Sequence, residues 1–320
     1  MNFFAVVIAL GLEQWRTLTF RVSIERTYVH YVRFLELKLN GGTAQHGVFG
    51  AIAALGPPVF IAGAVFWGLY EVHPALGFVW NIACLYFLMG FRRFSHAYSQ
   101  VIAALKTNDL HAARRALAGW RGVPSGELGS EDIAKLSIER GLVDSYQQVF
   151  ATLFWFTVLP GPIGAVLYRA ASLVAAEWRA AAPGQDTTPI AHAREVFGAP
   201  ARTVLWLLDW IPVRLTALSF AIVGDFEDAV YCWRTQAQTW LTQPGGEHAG
   251  IVLASGAGAL GVQLGGPIPL ISGQPELRPE LGMGDTPDAD LLPSAVGLVW
   301  RALVLWLLLI LLLTLANWAP

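Results

Sequence analysis

From Leu291 to Trp318 the chain reads LLPSAVGLVWRALVLWLLLILLLTLANW, with no charge after Arg301. A helix needs about 20 apolar residues to cross a bilayer. A run this long finds no partner large enough in a small soluble core, so it is expected to span a membrane. Arg301 can snorkel toward the headgroups. Trp300, Trp306 and Trp318 suit an aromatic belt at the interface.

The rest of the chain agrees. Of its 320 residues, 55% are hydrophobic and 14% charged, where a soluble domain carries about 25% charged residues. An ordinary cytosolic enzyme and a disordered chain are excluded. The 32 Gly and 18 Pro follow no three-residue repeat, which excludes a fibrous protein. A net charge of -2 gives no general attraction to nucleic acid. Cys84 and Cys232 lie far apart in apolar stretches and read as buried free thiols.

Further membrane segments follow from the same pattern. One runs from about Val48 to Tyr70 and contains Gly56, Pro57 and Pro58. Another runs from about Ala75 to Phe91, joined to the first by Glu71-Val72-His73-Pro74, and the two are expected as a helical hairpin. The region Val149–Tyr168 is divided by Pro160-Gly161-Pro162 into halves too short to span, which predicts a broken or re-entrant helix. Val204–Val223 is apolar but contains Asp209 and Arg214. Phe3–Leu12 lacks a basic n-region and a cleavage site, so it reads as an anchor or short span rather than a secretory signal.

Basic residues cluster at 14–48 and 92–140, and none lies at the 71–74 tip. The positive-inside rule places both clusters in the cytoplasm, as in a bacterial inner membrane. The expected fold is all-α: one polytopic domain over 1–320, with about four to six membrane segments by length. Residues 92–148 form a cytoplasmic helical insertion, 243–290 a Gly/Pro-rich packed segment and 291–318 the last span. Asn108-Asp109 signals the start of the helix LHAARRALAGW, Gly122–Gly126 a turn, and Ser130 the start of a helix with acids in its first turn. Residues 181–190 read as a loop.

No P-loop, nucleophile elbow, HExxH or CxxC is present, and the seven His are dispersed, so no metal site is expected. Ionisable residues at membrane depth are costly and mark candidates. Asp209 and Arg214, five residues apart across Pro212, can form a buried pair beside a kinked helix, either a site for an anionic group or a structural pair at a helix end. Glu139, Asp144, Gln147 and Gln148 approach the broken region, as cavity-facing groups or as the solvated face of an amphipathic helix. The run ASGAGALGVQLGGP at 254–267 offers backbone amides to phosphate, or small residues for close helix packing. His96 and Tyr98, just after Arg92-Arg93, read as interfacial anchors.

LFWFTVLPGPIGAVLYRA (153–170), IPVRLTA (211–217) and AGALGVQLGGP (257–267) come in the order and spacing of the CobD/CbiB family. The resemblance extends over about residues 50–270. It implies a membrane adenosylcobinamide-phosphate synthase, which joins an aminopropanol-type amine to a corrinoid carboxylate using ATP and Mg²⁺. The synthase pattern IES-x-x-EN-x-x-D is departed from here. Glu139 is kept, while Val143, Asp144 and Gln147 replace the second Glu, the Asn and the Asp. The NTLDSM-like run becomes Ser172–Ala176, the paired Asp before the proline motif become Leu205 and Trp206, and the Ser-Pro-Asn-Ala-Gly element becomes Gly246–Gly250 with His248. Magnesium needs oxygen ligands that Val, Ala and Leu cannot supply.

HAYSQVIAALKTNDLHAARRAL (96–117), GVPSG (122–126), LDWIPVRL (208–215) and FAIVGDFEDAVYCW (220–233) are similar to the AmpE-like branch of the same superfamily. That likeness implies a non-synthase regulator or sensor of the cell envelope, which is the leading expectation. The alternatives are the synthase itself, the ATP- and Mg²⁺-dependent enzyme of cobalamin assembly, and a membrane scaffold without a small-molecule site. Candidate ligand-binding residues are Glu139, Asp144, Gln147, Asp209, Arg214, His248, Gly265 and Gly266, with Glu139 and Asp144 the catalytic candidates. Expected partners are membrane lipids, an envelope ligand or a corrinoid, and a second copy of the chain, but no nucleic acid.

Overall fold

The computed structural model describes residues 2–15, 19–123, 125–126, 128–179, 189–243, 245–269 and 276–316. The expectations for Pro124, the loop over 181–188 and Trp318 fall outside these residues.

Among the described residues the chain is all-α apart from one small ribbon. Its helices are α1 (Asn2–Trp15), α2 (Thr19–Leu39), α3 (Ala44–Val72), α4 (Pro74–Leu88), α5 (Phe91–Lys106), α6 (Leu110–Arg121) and α7 (Ser130–Ser145). A π-helical turn (Tyr146–Phe150) leads to α8 (Ala151–Val158), α9 (Ile163–Glu177), α10 (Pro189–Val223) and α11 (Phe226–Gln236). A 3₁₀ turn (Ala237–Thr242), α12 (Gly246–Leu260), strands β1 (Gln263–Gly265) and β2 (Glu280–Gly282), and α13 (Leu292–Ala316) complete the order. Among the described residues, three stretches are long and apolar enough to cross a membrane: Ala44–Val72, Ala191–Val223 and Leu292–Ala316. The span expected over about Ala75–Phe91 is the 15-residue α4, which ends at Leu88. At 1.5 Å per residue it reaches about 22 Å, short of a hydrocarbon core of about 30 Å.

The chain divides into two compact units, one of residues 1–89 and 151–209, the other of residues 90–150 and 210–320. In the first unit, Val32, Leu55, Val174, Trp178, Phe197 and Ala201 form a core where α2, α3, α9 and α10 meet. The acids of α2 face inward to arginines: Glu25 pairs with Arg169, and Glu36 with Arg194 at 2.7 Å. The expected break is present, with α8 ending at Val158 and α9 starting at Ile163.

Prolines inside helices orphan the carbonyl four residues earlier, because they carry no N–H. Pro57 and Pro58 would free Ala53 O and Ala54 O. The Tyr31 hydroxyl donates to Ala53 O at 2.8 Å, and the Tyr28 hydroxyl donates to Ala54 O at 3.1 Å. Pro212 would free Leu208 O, and Trp155 Nε1 donates to it at 3.0 Å. Side chains thus restore what Pro57, Pro58 and Pro212 remove, and α3 and α10 run through these prolines as helices.

In the second unit, Asp109 caps α6 by accepting from Ala112 N at 2.9 Å, as the sequence signal predicts. Asp132 in the first turn of α7 accepts from Gly129 N at 3.2 Å. Three buried polar groups find backbone or side-chain partners between helices. Tyr98 donates to Leu292 O (3.2 Å), Ser255 to Ala217 O (2.7 Å), and Trp306 Nε1 to Ser219 Oγ (2.8 Å). α12 is buried without interruption from His248 to Ala259.

Candidate functional site

The strongest polar constellation lies in the second unit, where α7 meets the β1–β2 ribbon. Glu139 is 7% exposed on α7, beside the buried Leu136 and Leu142 of the adjacent turns. An isolated carboxylate there would be strongly disfavoured. Its oxygens are instead fully engaged: Gly265 N donates to Oε1 at 2.8 Å, and Arg278 donates to Oε2 through Nη1 at 2.7 Å and to Oε1 through Nη2 at 3.1 Å. This is the bidentate fork geometry in which charge-assisted bonds are strongest. Arg278 Nε also donates to Gly266 O (3.3 Å), and its guanidinium lies over the Trp240 ring, 5.5 Å from the centroid.

The ribbon is shaped to deliver those groups. Gly265 pairs with Glu280, and Gln263 with Gly282. The Gln236 side chain brackets Gly282, accepting from its N at 2.6 Å and donating to its O at 3.3 Å. Gly265 sits at φ +71°, and a Cβ there would overlap Pro279 O. Glycine is therefore required for the amide to reach Glu139.

Asp144, 3% exposed, forms a second pair one turn further along α7. Trp120 Nε1 donates to it at 2.9 Å, and Arg140 Nε lies 3.1 Å from its carboxylate. The Trp120 bond pins the end of α6 to α7. Arg121 follows at that end. Burial pushes its guanidinium below its ordinary value, Glu139 and Glu276 oppose that shift, and Arg278 and Arg140 reinforce it. Gln147 is half-buried in the π-helical turn, and His248 is buried at the start of α12.

The structure joins Glu139, Gly265 and Gly266, and it separates Asp209 from Arg214. The expected pair between those two is corrected. Asp209, 6% exposed, accepts from the Tyr168 hydroxyl at 2.9 Å in the first unit. Arg214, in the second unit, stacks on Trp210 at 4.4 Å, donates to Trp210 O at 2.7 Å and faces Glu247 at 3.6 Å. A spacing of five residues turns about 500° on a helix, so the two side chains leave on different faces.

The glycine run resolves as a packing device. Gly265 N is held by Glu139, Gly266 N donates to Pro279 O (3.1 Å) and Gly261 N to Gly258 O (3.1 Å). These amides are not turned to a phosphate, and Gly258 brings α12 against the Asp228 carbonyl of α11. Magnesium fits no better. Among the described residues, no three His, Cys, Asp or Glu side chains gather as a metal set, and Glu139 already accepts three hydrogen bonds.

Sequence reasoning missed Arg278, Trp240, Trp120, Arg121, Tyr168 and Trp155. Arg278 carried a faint signal, as one of few charges in a Gly/Pro-rich stretch.

Comparison with known proteins follows the same outline. The CobD/Cbib protein family profile matches residues 22–299. Cobalamin biosynthesis protein CobD of Stutzerimonas stutzeri is 36% identical, covering 87% of this chain and 86% of its own. Cobalamin biosynthesis protein CobD of Chromobacterium violaceum is 38% identical, over 80% and 76% respectively. Cobalamin biosynthesis protein CbiB of Salmonella arizonae is 24% identical, over 79% and 74%. No solved structure matches. These names give no support to the AmpE-like regulator that the departures at Val143, Ala175, Leu205 and Trp206 suggested. With the profile covering most of its length, the chain belongs to the CobD/CbiB family.

Proposed function

We propose that this chain is an integral inner-membrane protein of cobalamin biosynthesis, with its 92–148 segment in the cytoplasm. The observation that carries the reading is the 36% and 38% identity, over at least 80% of the chain, to proteins named for cobalamin biosynthesis. The basic residues of 92–140 support the orientation.

Within that reading the chain performs the amide-forming step of the family, between an aminopropanol-type amine and a corrinoid carboxylate. Glu139 is the acid retained from the synthase pattern. Arg278 and the Gly265 amide hold it oriented on α7, so the ribbon and α7 meet in one fixed geometry. No step through ATP or Mg²⁺ is assigned to these residues, because the donor set around Glu139 does not fit a cation.

The test is complementation of a strain lacking the synthase. Cobalamin-dependent growth restored by the wild-type chain, and lost with Glu139→Gln, is the expected result. Growth that stays absent despite normal membrane expression overturns the reading. It would leave an AmpE-like regulator or a scaffold, which a response of Asp209 or Arg214 variants to envelope stress would separate.

A further inference from the structure

Arg301 is the only charged residue between Leu291 and Trp318. It belongs to α13, one of the three stretches long and apolar enough to cross a membrane. Its side chain is exposed, and its Nε donates to Gly297 O at 3.3 Å, one turn nearer the start of the helix. Among the described residues no carboxylate lies within ion-pair distance of it. A bare guanidinium on a spanning helix is costly in hydrocarbon and is drawn toward the headgroups.

The ground around Arg301 is shaped. Val223, Trp300, Arg301 and Val304 line a shallow, open groove of about 440 Å³ between the end of α10 and the outer side of α13. About one turn further along, the two helices are tied together by the Trp306 indole, which donates to Ser219 Oγ at 2.8 Å. Trp300 is steadied by Phe91, which it meets edge-on at 4.7 Å. On the other side of Arg301 there is open space, with no heavy atom within 4 Å of where a Gly297 Cβ would stand. Past Val304 the exposed apolar stripe continues through Leu308 and Leu312, each four residues on.

Along the helix axis the order is therefore open space, cation, apolar groove and apolar stripe. A phospholipid has its parts in that order, with the phosphate before the acyl chain. A second copy of α13 packed here would bring another Arg301 and no anion. A compact soluble anion would leave Val223, Val304 and Leu308 uncovered.

We propose that the groove between α10 and α13 holds one phospholipid molecule. Its phosphate sits on Arg301 beside Gly297, and one acyl chain lies over Val223, Val304 and Leu308. The lipid neutralises Arg301 and covers the seam between the two helices. The site goes beyond the cobalamin reading and does not depend on it.

The test uses the full chain, delipidated in detergent and titrated with dioleoylphosphatidylglycerol. Tm is followed, and bound lipid is counted by native mass spectrometry. A single lipid per chain and a saturating rise in Tm are expected. Dioleoylglycerol, with the same chains and no phosphate, should give neither. Arg301→Gln should raise the half-saturating lipid concentration about tenfold or more, the loss of one charge-assisted hydrogen bond. Arg301→Lys should lose less. Arg301→Gln removes a charge from a spanning helix, so membrane insertion is not endangered. Gly297→Leu fills the headgroup space with a good helix former, and Val304→Phe fills the groove, so both should weaken binding. Leu313→Phe, half a turn round the helix from Val304, should leave binding unchanged. No saturable lipid, equal binding of dioleoylglycerol, an Arg301→Gln titration like that of wild type, or a Leu313→Phe loss as large as that of Val304→Phe overturns the site.

Discussion

Glu139 and Asp209 are two of the three buried acids that the sequence set apart, and they are kept in opposite ways. Glu139 is gripped by a bidentate guanidinium and a backbone amide that arrive from a ribbon far along the chain. Asp209 receives a neutral phenol, Tyr168, from a helix of its own unit. The first arrangement matches charge with charge and is intolerant of losing one partner. The second includes a dipole, the Tyr168 hydroxyl, which orients the acid. Burial alone therefore does not say what a carboxylate is for, because the chemistry of its donor differs between the two.

The largest effect is expected at the clamp. Arg278→Gln strands the Glu139 carboxylate on one amide and should cost about 3–5 kcal/mol in denaturant unfolding. Replacing both, as Glu139→Met with Arg278→Met, should recover most of that loss, and a double variant no better than the single one would show that the pair is not energetically coupled. Next comes Trp155→Phe, which orphans Leu208 O and should cost about 1–3 kcal/mol. The same substitution in a Pro212→Ala background should cost much less, since Ala restores the helical donor; equal costs in both backgrounds would remove the capping role. Tyr168→Phe should cost about 1–2 kcal/mol by removing a donor to Asp209, less than the Arg278 variant. A Tyr168 effect as large as that of Arg278 would erase the contrast between the two acids. Tyr31→Phe is the smallest, about 1 kcal/mol, and Pro57→Ala should offset it.

Local signals could be read from the sequence because they act over one or two turns. The Asp109 cap, the break at Pro160–Pro162 and the C-terminal span all fall where the residues place them. The partners of the acids could not be read this way. Arg278 lies 139 residues from Glu139, in a stretch whose Gly and Pro give no helical period. The Asp209–Arg214 expectation failed because nearness in sequence was taken for nearness on a helix face. The 15-residue α4 shows the related limit, that apolar composition marks a segment without fixing its length.

The proline caps have a consequence for biogenesis. Tyr28 and Tyr31 precede Pro57 and Pro58, and Trp155 precedes Pro212, so each donor is synthesised before the carbonyl it will serve. An uncapped carbonyl in hydrocarbon costs several kcal/mol, roughly that of any unsatisfied backbone group in lipid. When α3 or α10 leaves the ribosome, its chaperone is already made and waiting upstream. The order of residues along the chain is thus also an order of assembly, in which each flawed helix enters the bilayer after the segment that repairs it.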